Sequence, residues 1–574
     1  MDTSVDDRSS VKKCDICIVG TGAGGGMLAY RLAMNNFSVL SLEQGEKIDN
    51  SYFSNHVNPE QEQNFGISPD MPWPLQPDLS LYYDNFQASK LYAKSDTLST
   101  SSYSKEVFDN RQIFRLNGKQ NLWGGACLRF SNRDFRGKDY GDSDSNWPIG
   151  YEDIEDHYTQ VERLIGVCGT KEGLNDLPDG EFIPPKPLRP ADKIVIEAVK
   201  RISDVNIKTI PMRKAIETRS NVAHHCQSCG HCCYGCSYGS IYKFSSHLLP
   251  RIVDRKNYRI TYKCKVIRLL RDQESNQIYA AECIDTETHR KFRVEAKVFI
   301  LAAGAIETPR ILFNSKDEAY PQGYANSSGT LGCYLQDNIL VKVGTSLMKL
   351  IGTQEKYDVG FGDNILIPRF LFNNQGFRGG YMSLFYNSYP IHPHYLDGFK
   401  LFPAWSKKWL GKLMFKSYAV LQFQGKPEVK KSNRIVPGKE KDIYGVPKVD
   451  VHYEWTENDR RMQQSMIHYG KRILRKSSGL LIFVYTSKPG HSIHYAGTCR
   501  MAQTSNEGIV DENLRSFDHE NLYICDGGVL PEISEKNYSL TIMALANRLA
   551  ARLSKEYAHL RLESANYVLK NSDY

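Results

Sequence analysis

Apolar positions fall along the chain in two rhythms. Asp15–Val19 is a short Val/Ile/Cys run of the kind that fills a strand buried on both faces. Met27–Met34 then repeats apolar residues at helical spacing (Leu28, Ala29, Leu32, Ala33), and Phe37–Leu42 is a second apolar strand. Further on, Tyr258–Leu270 and Ala280–Asp285 alternate apolar and polar residues, and Val298–Ala303 is again continuous and apolar. From Leu340 to about Glu454 aromatic and polar residues alternate, which predicts a mostly antiparallel sheet. Asn521–Cys525 reads as a short strand, and Glu152–Ile165 and Ile542–Ser554 as helices. Residues 50–110, rich in Ser, Tyr, Asn and Asp, show little period and predict a loop-heavy excursion. Leu396–Lys416 mixes Phe, Trp and Leu with lysines. It reads as a basic amphipathic surface segment or, interrupted by Pro403, as a solvated loop.

Glycines punctuate the first rhythm. Gly20, Gly22 and Gly25 form G-x-G-x-x-G between the first strand and the first helix, and Glu43 closes the second strand 18 residues past Gly25. The first glycine permits a tight turn, the second admits a pyrophosphate near the backbone, and the third lets helix and strand pack closely. Exposed N–H groups at the helix start favour an anion, and Glu43 suits ribose hydroxyls. The motif alone does not separate FAD from NAD. Leu116–Gly125 is a second glycine-punctuated loop, where Gly118, Asn121, Trp123 and Gly124 would let backbone approach a flat ring.

Composition narrows the class. The 574 residues are 41% hydrophobic and 24% charged, ordinary globular values that leave room for two to four domains. No run approaches the ~18 apolar residues of a membrane span. Met1–Lys13 holds no apolar core of a signal peptide, which predicts a cytoplasmic protein. A net charge of +8 spread along the chain, with no finger or recognition-helix signature, argues against nucleic acid as a partner.

Five of the fourteen cysteines, Cys226, Cys229, Cys232, Cys233 and Cys236, fall within eleven residues. The C-x2-C-x2-C-x3-C spacing suits an iron–sulfur cluster. It also suits zinc, with His224, His225 and His231 nearby, and a metal-free reading stays open beside both.

The C-terminal third holds His491–Met501, then Asp526-Gly527-Gly528, then Asn537-Tyr538-Ser539-Leu540-Thr541 leading into the last helix. With Gly20–Gly45 and Gly304–Leu312, these segments resemble the glucose–methanol–choline (GMC) oxidoreductases, FAD enzymes that oxidise alcohols. The family's H-x-x-G-T-C-R-M stands as His494–Met501, and its N-P-S-L-T-I-M-A as Asn537–Ala544 with Tyr538 in place of proline. Asn117–Phe130 and Trp147-Pro148-Ile149 look most like pyranose oxidases and sugar dehydrogenases. Cys229–Tyr238 resembles a segment of long-chain alcohol oxidases and iron–sulfur sugar dehydrogenases.

The resemblance implies an α/β fold: a Rossmann-like FAD-binding domain with a parallel sheet and flanking helices, plus an α+β substrate domain on a mainly antiparallel sheet. The first domain would comprise 1–50, 110–135, 215–335 and 490–574, and the second 136–214 and 336–489, with 51–109 as the excursion. Val266, Ala303, Gly304, Asp526, Gly527, Ser539 and Thr541 would join the glycine loops in holding the cofactor. Where pyranose oxidases carry a flavin-linking histidine this chain has Leu122, which implies noncovalent FAD. His494 would be the base that takes the hydroxyl proton and Asn537 the residue that orients the alcohol oxygen, while His491 reads as structural. A sugar, glycoside or aminosugar-like alcohol is the expected substrate and a long-chain alcohol the alternative. Oxygen or an external redox partner would take the electrons. Two rivals keep the fold: an electron-transfer dehydrogenase subunit, and a lyase with a relic flavin. A reductase fed by NAD(P)H is disfavoured by the lack of a second G-x-G-x-x-G and of a redox cysteine pair.

Overall fold

The computed structural model describes residues 11–53, 91–93, 100–102, 108–229, 232, 235–353, 360–373, 376–387 and 413–562. Most of the 51–109 excursion, most of Leu396–Lys416, and Cys233 lie outside these residues. In chain order, the elements that build the site are β1 (Lys12–Val19), α1 (Ala23–Met34), β2 (Val39–Leu42), α2 (Glu155–Ile165) and α3 (Pro190–Val199). They continue with β3 (Tyr258–Thr261), β4 (Cys264–Arg271), β5 (Ile278–Asp285), β6 (Lys291–Leu301), α4 (Gly304–Asn314) and β7 (Ile339–Leu347). The remainder are β8 (Ile365–Ile367), β9 (Tyr381–Tyr386), β10 (Tyr418–Gly425), α5 (Glu457–Lys476), β11 (Gly479–Thr486), β12 (Leu522–Ile524) and α6 (Ser539–Glu556).

Seven strands form the first sheet, in the order β3-β2-β1-β6-β5-β4, with β12 beside the end of β6. β1 runs parallel to β2 and β6, and Ile16, Cys17 and Ile18 are fully buried, as a continuous apolar run covered on both faces requires. β6 has two halves. Phe292–Glu295 pairs antiparallel with β5, half-exposed and alternating, whereas Phe299–Leu301 pairs in parallel with β12 and is wholly buried. Continuous apolarity therefore marked only its second half in the sequence. α1 packs on α6, and α6 on α2, so the first and last long helices among the described residues are neighbours.

The second sheet is antiparallel, ordered β11-β7-β10-β9-β8, with Ile210–Pro211 at the far edge. Side chains alternate across it. Val341, Val343, Phe385, Leu421 and Phe423 face a core shared with α3 and α5, while Leu340, Lys342, Leu384, Tyr386, Val420, Gln422 and Gln424 line a cavity on the other side. The helix α5, which strand alternation does not predict, starts at a capping box: Asp459 N–H donates to Thr456 Oγ1 (3.1 Å) and Thr456 N–H to Asp459 Oδ2 (2.8 Å). It lies so close to the sheet that a Cβ on Gly470 would fall 2.6 Å from Val343 Cγ2. Among the described residues no helix is long and apolar enough to cross a membrane.

Candidate active site

A cavity of about 500 Å³ lies where the loops of the first sheet meet the polar face of the second. On its first-sheet side backbone crowding forbids side chains. Gly20 has φ +93°, and a Cβ there would meet Ala302 O at 2.6 Å; one on Gly25 would sit 2.0 Å from Gly20 O, and one on Gly24 2.0 Å from Cys525 O. A Cβ on Gly22, by contrast, would touch nothing within 4 Å, and one on Gly118 only Gly22 Cα at 4.0 Å. These two glycines thus flank an open slot. Two helix starts border the same cavity. Neither α1 (N-cap Gly22) nor α6 (N-cap Tyr538) has a side-chain cap or an acidic first turn, so both offer N–H groups and positive dipole ends to an anion. A slot that added methyl groups would fill, beside two uncapped helix starts, fits a dinucleotide with its pyrophosphate.

Most of the cofactor residues expected from the sequence line this cavity: Gly20, Gly22, Glu43, Gly118, Trp123, Gly124, Val266, Ala303, Gly304, Asp526, Gly527 and Ser539. Glu43 accepts from Thr21 Oγ1 and from Gly45 N–H (3.0 Å), and burial raises its pKa. Asp526 accepts from Gly304 N–H (2.8 Å), Thr308 Oγ1 (2.6 Å) and Gly528 N–H (2.7 Å), tying the start of α4 to the turn after β12. Three residues do not reach the cavity. Gly25 serves helix–strand packing. Asn121 spends its amide on Leu116 O (2.8 Å) and Gly118 O (2.9 Å), bracing the loop from behind. Thr541 lies on the other side of α6, 2.8 Å from the Tyr158 hydroxyl of α2.

His494 and Asn537 meet at the cavity wall, with Asn537 Nδ2 3.3 Å from His494 Nε2. Nδ1 of His494 faces Asn338 Oδ1 at 2.9 Å. The loop is held by the buried Asp337 carboxylate, which accepts from His494 N–H (2.8 Å), Ser492 N–H (3.1 Å) and the Ser492 hydroxyl. Burial, helped by the Lys119 ammonium, lowers the His494 pKa to about 3, so the imidazole is neutral at neutral pH. Lys119 itself is pushed down to about 7 by burial; its Nζ donates to Ile493 O (3.1 Å) and sits 3.6 Å over the Tyr495 ring. Asn537 Oδ1 is buried and has no hydrogen-bond partner among the described residues. The loop bearing Asn537 is pinned by buried ion pairs: Lys426–Glu532 (2.7 Å), Arg369–Glu535 (3.3 Å) and Lys536–Asp134 (2.6 Å).

Several lining residues escaped the sequence reading. His491, read there as structural, faces the cavity with Nδ1 2.8 Å from Asp109 Oδ2, beside Arg111. Gln336-Asp337-Asn338, a polar triplet directly before β7, is wholly buried; three polar residues abutting an apolar strand were the available signal. Lys342, Gln422 and Gln424 were recoverable from strand alternation once its outward face proved to be a cavity wall.

The cysteine segment lies elsewhere. Cys226, Cys232 and Cys236 are free thiols that, with Cys229, line a cavity of about 20 Å³ against Ile216 and Phe361. Among the described residues no group of three or more His, Cys, Asp or Glu is placed to hold a metal, so the expected iron–sulfur or zinc centre finds no support there; Cys233 and His231 lie outside those residues.

Fold and slot together define a dinucleotide-binding protein. Two family models, each described as GMC oxidoreductase, a family of FAD-binding enzymes, match residues 207–338 and 431–546 of this chain. It is 23% identical to 2-methyl-1,2-propanediol dehydrogenase of Mycolicibacterium austroafricanum, over 96% of this chain and 97% of that one. With paromamine 6'-oxidase of Streptomyces fradiae it shares 25% identity over 95% and 92% of the two chains. The solved structure of pyridoxine 4-oxidase from Mesorbium loti superposes with a TM-score of 0.62 at 19% identity, covering 95% of this chain and 99% of that one.

Proposed function

We propose that this protein oxidises an alcohol CH–OH group to an aldehyde or ketone, using noncovalently held FAD, on a sugar, glycoside or aminosugar-like substrate. The observation that carries the reading is the His494–Asn537 pair, set in the cavity wall between the glycine slot and the polar sheet face. Bound FAD supplies the acceptor for the hydride that leaves the carbinol carbon. The residues of the chain supply the rest. His494, held neutral by burial, takes the hydroxyl proton, a role worth ~10²–10⁴ in rate. Asn537 donates to the substrate oxygen and fixes the carbinol carbon in register. Asp337 and the ion-paired loop keep both side chains in place.

Gln422, Gln424 and Lys342, interleaved with Tyr386, suit a ligand carrying several hydroxyl or amine groups. One relative named above is a diol dehydrogenase and another a paromamine oxidase, which supports the same class. Leu340, Leu384 and Val420 on that face support a longer apolar alcohol as the second reading. Leu122 lines the cavity where a linking histidine would be needed for covalent attachment, so acid precipitation is expected to release the flavin. The deciding experiment is an anaerobic absorption spectrum before and after adding sugars, glycosides, aminosugars and fatty alcohols. Bleaching of the flavin bands by the first three classes is the expected result, and bleaching by fatty alcohols alone would overturn the substrate assignment. Admitting air then separates an oxidase, which recolours, from a dehydrogenase that needs an external redox partner.

A further inference from the structure

We infer that Asn338 dictates which nitrogen of His494 carries the proton, and thereby the polarity of the whole His494–Asn537 pair; this rests on the reading of His494 as the base. Asn338 is fully buried at the start of β7. Its Nδ2 donates to Gly425 O (2.9 Å), at the end of β10, and to Ser534 O (2.8 Å), in the loop that bears Asn537. Both acceptors are backbone carbonyls, which cannot donate. A flipped amide would press Oδ1 against two carbonyl oxygens, so the orientation is fixed by backbone.

Oδ1 is thus the atom 2.9 Å from His494 Nδ1. An amide oxygen only accepts, so Nδ1 carries the hydrogen of the neutral imidazole and Nε2 keeps its lone pair. The same logic then orients Asn537. Facing a bare Nε2 at 3.3 Å, it must present Nδ2, whose second hydrogen is left for the reacting substrate oxygen, and its partnerless Oδ1 is left to accept from another O–H or N–H of the ligand. One buried amide thereby sets a directional chain: carbonyls, Asn338, His494, Asn537, ligand. Charged and aromatic neighbours do not compete for it. Lys119 approaches from the glycine loop and bonds Ile493 O, Asp337 holds the His494 backbone N–H, and the Tyr538 ring lies 5.2 Å from the imidazole. Asn338 is a positioning residue; the proton-accepting atom is Nε2.

Two measurements test this. In the full-length protein labelled with 15N-histidine at neutral pH, the His494 ring correlations, assigned by their loss in His494→Gln, are expected to show the Nδ1–H tautomer. The Nε2–H pattern would overturn the inference. Asn338→Asp keeps an acceptor at Nδ1 and adds a negative charge that favours imidazolium, while giving up the two bonds that Nδ2 donates to Gly425 O and Ser534 O. A base works only when neutral, so activity falls as pH drops through its pKa. The acid limb of kcat/KM should therefore move up by at least one pH unit, a tenfold loss on the limb; an unmoved limb in folded, flavin-loaded protein would count against the inference. A merely structural role would lower the plateau without moving the limb. The tautomer measurement needs no turnover, so an Nδ1–H result together with full flavin reduction by His494→Ala would sink the catalytic reading and leave this one standing.

Discussion

The two walls of the cavity are made of different material. The wall built by the first sheet is backbone: Gly20, Gly22, Gly118 and Gly304 bring main-chain groups and helix starts to the ligand. The wall built by the second sheet is side chains, every other residue of β7, β9 and β10. A backbone wall is specified by what is missing, and almost any side chain added to it intrudes. A side-chain wall is specified by what is present, and exchanging one residue changes the ligand without changing the fold. The shared cofactor of a family belongs on the first kind of wall and its varied substrates on the second.

The largest break expected lies just behind the backbone wall, in the helix–strand packing that supports it. Gly25→Ala would force a Cβ to within 2.0 Å of Gly20 O, and a clash of backbone against backbone should cost about 3 kcal/mol or more. Thermal unfolding and flavin content should both collapse; a stable, yellow variant would show that the turn yields. Next comes His494→Ala, expected to slow flavin reduction by ~10²–10⁴ while FAD content and melting temperature stay at wild-type values. Gly22→Ala sharpens the contrast with Gly25. Its Cβ meets no protein atom, so the apoprotein should melt normally while FAD binds roughly tenfold more weakly, an effect of about 1.4 kcal/mol readable by fluorescence titration. The smallest effect belongs to the side-chain wall. Gln422→Leu should raise KM for a polyol about fivefold, the size of one lost hydrogen bond, with kcat nearly unchanged. Equal losses in kcat and kcat/KM, with KM unchanged, would place Gln422 in the transition state instead.

The same division governs what could be read from the residues alone. Gly20, Gly22 and Gly25 follow an apolar strand at fixed spacing, and a backbone wall is local, so the motif disclosed it. His494 and Asn537 were legible only through the motifs around them. Asp337 and Asn338 were not, because their meaning lies in contacts with Ser492, His494, Gly425 and Ser534, far off in sequence. Alternation in β7 and β10 was visible, but it could not show that the outward face looks into a cavity rather than at bulk solvent. Asn121 and Thr541 sit in the right segments and point away, which period and motif do not encode.

The packing of α1 against α6, with Gly24 tucked beneath Cys525 O, also sets an order of events in time. On the ribosome the partner helix emerges long after α1, a wait on the order of a minute at ordinary rates of synthesis. Through that interval Met27, Leu28 and Leu32, all buried in the finished protein, lack the C-terminal half of their covering. Chains stalled before Leu522 should hold no FAD, and newly made protein should draw on chaperones before it can take up its cofactor.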